Sequence, residues 1–418
     1  MLTLDKIYHA AYVLRPVIRK TDIIYAANLR KDGYIYLKTE NLQITGSFKV
    51  RGAYYKISRL SPDEKAKGVI ACSAGNHAQG VALAAAKNGI NALICIPDNA
   101  PISKIEATKS HGAEVELVKG DYDEAYARAC ELQAEQGRTF IHPFDDEDVI
   151  AGQGTIGLEI LDQLPNVDAI VVPIGGGGLI SGIAFAVKHL KPGCTIYGVQ
   201  TEGAPAMQQS VSLHQKQTIP AVSTFADGIA VKCPGDLTFD LVSRYVDEIV
   251  TVTDDEVASA VLELIEHQKL IAEGAGAVAV AAVMFGKIDV AGKNVVCVLS
   301  GGNIDVTILS RVITRGLLKS GRVANLTIPL IDKPGELRSI AEIIAGLGGN
   351  VVSVHHDRGE ANSAINSCVI KLGMETRDQQ QIDEIKTALQ KAGYRLILVN
   401  FASLFFIGLT RRSFERRW

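Results

Sequence analysis

Ala169-Ile170-Val171-Val172-Pro173-Ile174-Gly175-Gly176-Gly177-Gly178-Leu179 is the stretch that decides the fold of this chain. An apolar run without alternation suits a strand buried on both faces, as in a parallel sheet. Four glycines end the run, and a helical pattern starts near Ile180. Strand, glycine run and helix in succession bring bare backbone N–H groups to a helix N-terminus, an arrangement that binds phosphate. The spacing is not GxGxxG, because Ile180 stands where the last glycine would fall, and no Gly-Lys-Ser/Thr follows. A nicotinamide-dinucleotide fingerprint and a P-loop are both excluded. Taken alone, the glycines leave a flexible turn as the competing reading.

Working outward, short β-rich runs alternate with helical stretches from about residue 34 to 302. The strands expected are Tyr34–Glu40, Val69–Ser73, Ala92–Pro97, Glu114–Val118, Thr139–Pro143, Ala169–Ile174, Thr195–Gln200, Glu248–Val252 and Asn294–Leu299. Between them fall helical patterns over Gln79–Asn88, Asp121–Gln136, Gly154–Leu164, Asp254–Lys269 and Gly276–Phe285. Such alternation predicts an α/β domain, here long enough for two sheets. Beyond a linker at Leu318–Val323 the pattern changes. Strands over Ala324–Leu330, Asn350–Arg358, Ser363–Leu372 and Tyr394–Val399, with helices over Pro334–Leu347 and Gln379–Ala392, give the order βαββαβ of a ferredoxin-like α+β module. The tail, 400–418, joins an apolar run, Phe401–Leu409, to Arg411, Arg412, Arg416 and Arg417. That run is far too short to span a bilayer, and the tail reads as an appendage without an assigned role, with a weak membrane-surface contact as the competing reading.

At 418 residues the chain should hold more than one domain. A net charge of -3 leaves no basic footprint for a nucleic acid. Seven scattered cysteines without a CxxC pair argue against a zinc ribbon or a disulfide framework. With no apolar leader and no run long enough for a membrane helix, the expectation is a cytoplasmic protein with free thiols and no membrane partner.

Three further segments carry chemistry. Thr45-Gly46-Ser47-Phe48-Lys49-Val50-Arg51-Gly52 puts a lysine where a strand and glycine turn give way to a helix. A lysine is ordinarily a solvated surface charge and becomes a nucleophile only when desolvated. Ser73-Ala74-Gly75-Asn76-His77 lies between another strand and helix, so its amides and the Asn76 side chain can hold a carboxylate or a hydroxyl. His77 reads as a structural hydrogen-bonder before it reads as a base. Ser300-Gly301-Gly302-Asn303 ends a buried strand, where α/β folds place ligands, and offers a hydroxyl to a ring nitrogen. Glu273, ahead of a helix, suits equally an ordering role at the site and a helix-start acid.

These four motifs, in this order, closely resemble the fold-type-II pyridoxal-phosphate family (tryptophan synthase β-like), and the resemblance covers about residues 1–320. It implies a catalytic domain over 1–320, with about 53–150 as a smaller mobile part, and pyridoxal 5'-phosphate held covalently on Lys49. By the same resemblance Phe48 would lie beside the cofactor ring, and Asn76 would bond its 3-hydroxyl. Gly175, Gly176, Gly177, Gly178 and Leu179 would cradle its phosphate, and Ser300 would meet the pyridine nitrogen. Ser73, Ala74, Gly75, Asn76 and His77 would bind substrate, with Lys49 and Ser300 catalytic.

Within the family the chain is similar to threonine ammonia-lyases. That implies elimination of water and then ammonia from L-threonine, with L-serine as a secondary substrate. Cysteine synthases carry a threonine-rich loop in place of Ser73–Ala78. Serine racemases carry a second serine where Ala74 stands, so a serine-preferring dehydratase or racemase is the alternative. The racemase-type divalent site is only partly matched, by Glu202 but with Gln208 in place of an acid, so no metal is assigned and a monovalent or divalent ion stays open. Residues 323–399 resemble an ACT domain through Asp332-Lys333-Pro334-Gly335-Glu336-Leu337 and Leu347-Gly348-Gly349-Asn350-Val351. The resemblance implies an isoleucine or valine effector and a homo-oligomer, tetramer or dimer. The His355–His356 pair on the following strand is read as structural rather than metal-ligating.

Overall fold

The computed structural model describes residues 1–358 and 366–397. Contacts divide the chain into two compact units, Met1–Val312 and Ile313–Trp418.

In the first unit the described residues form two sheets. The larger has the spatial order Ile23–Tyr25, Tyr34–Lys38, Asn294–Val298, Ala169–Pro173, Thr195–Thr201, Glu248–Val252. Only the pairing of Ile23–Tyr25 with Tyr34–Lys38 is antiparallel. The expected continuous apolar strands do sit in the middle, with helices on both faces. The helix Gly178–Leu190 covers one face through Ile180 and Ile183 against Ile170, Val172 and Val296. The helix Gly274–Met284 covers the other through Val278 and Val280 against Val171, Val295 and Cys297. The smaller sheet, in the order Glu114–Val118, Ala92–Pro97, Val69–Cys72, Thr139–Phe140, is parallel throughout.

Several boundaries move from the sequence expectation. The helix expected from Gly154 begins at Glu147, where the Asp146 carboxylate accepts from the amides of Asp148 at 2.8 Å and Val149 at 3.1 Å. Its glycines are contacts between helices: a Cβ on Gly154 would lie 2.9 Å from the Gly182 carbonyl oxygen, and one on Gly182 would lie 2.3 Å from that of Ile150. The helix expected over Asp254–Lys269 stops at Glu263 and widens into a π turn over Leu264–Gln268, closed by Lys269 at φ 58°. The strand expected through Pro143 ends at Phe140, because the chain turns there around the His142 ring, whose Nδ1 accepts from Phe144 and Asp145 amides.

In the second unit three antiparallel strands have the order Val323–Ile331, Ser367–Glu375, Asn350–Asp357. The helices Glu336–Gly346 and Gln379–Lys391 bury Ile340, Ile344, Ile382, Ile385 and Leu389 against Leu326, Ile328, Ile370, Leu372 and Met374. Among the described residues the expected last strand shows one bridge, Ile397 to Thr327, on the side of Val323–Ile331 away from Ser367–Glu375. The end of that strand and the 400–418 tail lie outside the described residues. The seven cysteines form no disulfide, and no helix of the described residues is long and apolar enough to cross a membrane.

Candidate active site

Four loops leave the C-terminal ends of parallel strands and meet, as ligand-binding loops do in open α/β sheets. The lysine and serine segments are joined directly. Ser47 bridges Gly301, the Phe48 amide donates to the Ser300 carbonyl at 3.1 Å, and the Gly302 amide donates to Gly46 at 2.8 Å. Lys49 therefore opens the helix Lys49–Ser58 with Ser300 held beside it.

Lys49 keeps some contact with solvent but sits deep among protein atoms. Its Nζ donates to the Pro143 carbonyl at 2.9 Å and stands 5.3 Å from the centre of the Phe48 ring. Desolvation pushes its pKa down to about 8, against the pull of the Glu273 charge. The lysine is thus shifted toward the neutral amine that nucleophilic and basic chemistry requires.

Two glycine-capped helices open into this region. The N-cap of Gly178–Leu190 is Gly177 and that of Asn76–Lys87 is Gly75, and neither helix start receives a side-chain cap. Among the described residues the amides from Gly175 to Ile180 donate to no acceptor, and neither do those of Asn76, His77 and Ala78. Unpaired amides at a helix start attract anions through both hydrogen bonding and the helix dipole. The glycine loop is supported from behind. The Thr238 hydroxyl donates to the Gly176 carbonyl at 2.6 Å, and Gly176 and Gly178 press on Phe144. Asp145 in turn holds the amides of Asp236 and Thr238, both at 3.0 Å. Beyond the Gly75 α-carbon there is open space. Ser73 accepts from the Gly75 amide at 3.1 Å and shapes that turn, with Ala74 half-buried beside it.

Asn76 is fixed from both ends. Its Nδ2 donates to Glu273 Oε1 at 2.6 Å, and its Oδ1 accepts from Asn303 Nδ2 at 2.7 Å. Asn303 Nδ2 also donates to the Thr45 carbonyl at 2.8 Å. Glu273 precedes the helix Gly274–Met284 but makes no cap bond, so its carboxyl serves Asn76. Burial, then the charge of Asp227, raise that carboxyl to about 7, and the Asn76 hydrogen bond opposes them. Asp227 is paired with Lys104. The Ser300 hydroxyl is buried and donates to the Ala275 carbonyl at 3.3 Å. His77 points away from this chemistry. Its Nε2 donates to the Ile141 carbonyl at 2.8 Å, and burial, then Lys49, push its pKa down to about 3, so the ring is neutral.

The structure thus gathers Phe48, Lys49, Asn76, the 175–179 glycine loop and Ser300, and adds Asn303, Pro143 and Phe144, to which the sequence reading gave no part. Asn303 had been visible within Ser-Gly-Gly-Asn. Pro143 and Phe144 contribute a carbonyl and a packing face, which leave no sequence signal. Gln208, at the incomplete racemase-type metal position, spends its amide on the Ile249 carbonyl at 3.2 Å. A desolvated lysine, an unpaired amide cradle and a hydroxyl at a strand end together suit an aldehyde cofactor that carries a phosphate and a ring nitrogen.

The chain belongs to the family of pyridoxal-phosphate dependent enzymes, which it matches over residues 14–301. It is a lyase with pyridoxal phosphate as its cofactor, and the first unit has the fold-type-II, tryptophan synthase β-like fold. The chain is 50% identical to the L-threonine ammonia-lyase of Thermotoga maritima over 401 residues, 96% of this chain and 100% of that protein. Among solved structures it is similar to the processed form of threonine deaminase isoform 2 from Solanum lycopersicum, with 38% identity and a TM-score of 0.72. That match covers 75% of this chain and 88% of the other. Maize serine racemase matches with 35% identity and a TM-score of 0.71, over 76% of this chain and 98% of that one.

Proposed function

We propose that this chain is a threonine ammonia-lyase, converting L-threonine to 2-oxobutanoate and ammonia, with L-serine as a secondary substrate giving pyruvate. The observation that carries the reading is the Lys49 amine, shifted toward neutrality between an unpaired amide cradle and a serine hydroxyl. When bound, pyridoxal phosphate supplies an electron sink for the charge left at the substrate α-carbon. Lys49 would hold the cofactor and, once freed, take the α-proton on Nζ as general base. The amides of Gly175 to Leu179 would hold the phosphate, and those at the start of Asn76–Lys87 would hold the substrate carboxylate. Asn76, fixed by Glu273 and Asn303, would bond the cofactor hydroxyl. Ser300 would hydrogen-bond the ring nitrogen without protonating it, and an uncharged partner there would suit prompt departure of the β-hydroxyl.

The test is the absorption spectrum of the purified protein with and without L-threonine. The expected result is a band near the visible edge that changes on adding threonine, with 2-oxobutanoate and ammonia released. In Lys49→Ala the band and turnover are lost together, and full turnover in that variant would refute the mechanism. Similarity to serine racemase favours a second reading, a serine-preferring dehydratase or racemase. Ala74, however, has no hydroxyl with which to return a proton from the other face. A chiral assay for D-serine separates the two.

Residues 323–399 we read as an ACT-like regulatory domain binding isoleucine, with valine as counter-effector, on a catalytic domain over 1–320 with 53–150 as its smaller mobile part. The support is the split βαββα order and the Asp332–Leu337 loop, which turns through Gly335 at φ 99° into a helix. The edge strand Asn350–Asp357 also leaves Val352 and Val354 exposed, as a pairing surface would. A cytoplasmic homo-oligomer, tetramer or dimer, acting first in isoleucine synthesis completes the proposal. Calorimetric titration with branched-chain amino acids tests the effector, and absence of any binding would sink it.

A further inference from the structure

The three strands of the second unit bring Asp332, His356 and Cys368 together at one end of their sheet. The inward face of the central strand is the series Cys368, Ile370, Leu372 and Met374, all buried. His356 lies opposite Ile370 on one neighbouring strand. Leu330 lies opposite Cys368 on the other, and Asp332, two residues further on, is held in register by its amide bond to the Asn366 carbonyl at 2.9 Å. Side chains alternate along a strand, so all three project from the same face, while His355 projects from the other. One ligand atom of each residue lies within 4.8 Å of the other two.

We propose that Asp332, His356 and Cys368 form a binding site for a zinc-like divalent cation in the C-terminal unit. Carboxylate oxygen, imidazole nitrogen and thiolate sulfur are the donors such an ion takes, and three of them leave a fourth position open. With zinc bonds of about 2.0–2.3 Å, tetrahedral ligand atoms stand about 3.3–3.8 Å apart. His356 Nε2 and Asp332 Oδ1 are already 3.7 Å apart. Arg358 does not block the site. Its Nε holds Asp332 Oδ2 at 2.9 Å, while its contact with Oδ1 is the longer, at 3.3 Å. Oδ1 can therefore turn to the ion while the guanidinium keeps the other oxygen, the role that outer hydrogen bonds take around metal ligands. The Arg358 side chain is 70% exposed and free to yield the longer contact.

Two residues of the site were accounted for otherwise in the sequence: His356 as half of a structural pair, and Cys368 as one of seven scattered free thiols. Neither sequence position indicates that three strands align them with Asp332. The site stands apart from the catalytic reading, since none of its residues belongs to the first unit.

The test is titration of the full-length holoenzyme with Zn2+, followed by X-ray absorption at the zinc edge. One ion per chain is expected, with one sulfur at about 2.3 Å in its first shell. Cys368→Ser should remove that sulfur. His356→Ala, on a partly exposed side chain, should weaken zinc at least about tenfold, the lower end of the loss caused by removing even an outer-shell partner. Serine is nearly isosteric with cysteine, and circular dichroism and the cofactor band would report whether each variant folds. Failure to bind stoichiometric zinc, a first shell without sulfur in the parent protein, or equal affinity in parent and His356→Ala would each overturn the assignment. Zinc whose sulfur survives Cys368→Ser would belong to another cysteine and would overturn it as well.

Discussion

Arg51 lies two residues beyond Lys49 on the same helix and is wholly buried. It donates five hydrogen bonds: two to Glu40 at 2.8 and 2.7 Å, two to Glu159 at 2.6 and 3.0 Å, and one to the Thr155 hydroxyl at 3.1 Å. Arg51→Met keeps most of the volume and removes the charge. Glu40, also wholly buried, is then left with Lys38 and the Thr21 hydroxyl as its favourable partners. Breaking a buried pair by removing one member costs about 3–5 kcal/mol. At roughly 2 °C per kcal/mol for a unit of this size, the melting temperature should fall by about 6–10 °C. The pH dependence follows from the sign of the Glu40 shift. In the parent chain burial pushes the carboxyl up, but Arg51, Lys38 and Thr21 outweigh burial and hold it below its ordinary range. The parent's share of stability from Glu40 is therefore present above the unfolded-state value and lost as pH falls through the folded one. In the variant burial prevails, the carboxyl rises, and the cost of ionising it is relieved on acidification. The parent's share is constant above the unfolded-state value, so within pH 5 to 8 the variant's change alone narrows the gap toward pH 5, and differential scanning calorimetry over that range should find the largest deficit at the alkaline end. Adding Glu40→Gln should recover part of the loss. A deficit under about 2 °C at pH 8, or one that widens on acidification, would refute the argument.

Glu273→Gln tests the raised carboxyl beside Asn76. In the parent, stability should fall as pH rises from about 4.5 through about 7, because the folded state holds its proton longer than the unfolded one. The variant should lose that slope in a melting-temperature series, and an unchanged slope would place the titration elsewhere. Gly177→Ala forces a side chain onto φ 98° and sets its Cβ 2.7 Å from Met207 Cε and 2.9 Å from Thr238 Cβ. About 1–3 kcal/mol of strain is expected, with cofactor affinity at least about tenfold weaker by spectrophotometric titration; parent-like affinity would contradict the cradle reading. Ala74→Ser supplies a hydroxyl on the face where racemases have one, so D-serine should become detectable in a chiral assay while threonine turnover persists.

The central strands and the four loops were legible because their signals are local. Ala169–Ile174 is apolar without alternation, and each loop is a glycine- or serine-rich break between opposite periodicities. What escaped is set by partners distant in sequence. Gly152 and Gly154 lower helix propensity and hide the first half of a helix that runs from Glu147 to Gln163, because their value is close approach to neighbouring segments. Glu273 suits a helix-start acid and an ordering role equally in the sequence, and only folding decides between them by delivering its carboxyl to a side chain 197 positions away. Asn303 and Asn76 are likewise coupled across 227 positions. Pro143 offers a backbone carbonyl, which every residue has, so no residue type could have announced it.

The placement of charge around the candidate site explains why such long-range contacts matter. Lys49 is pushed down to about 8 and Glu273 up to about 7, each chiefly by burial and each partly relieved by the other's charge. Their values are closer together than those of the free side chains, so near neutral pH a proton is held loosely by either. Asn76 stands against Glu273 and keeps its amide direction through Asn303, so a change of charge at Glu273 is felt at the group proposed to meet the cofactor hydroxyl. Ser300, beside Lys49, offers a hydroxyl already engaged with a carbonyl and carrying no charge. The adjustable proton thus lies with Lys49 and Glu273, and none lies on Ser300, the group proposed to meet the ring nitrogen. That asymmetry favours removal of an α-proton followed at once by loss of a β-substituent. It disfavours the persistent carbanion that racemisation or transamination would need.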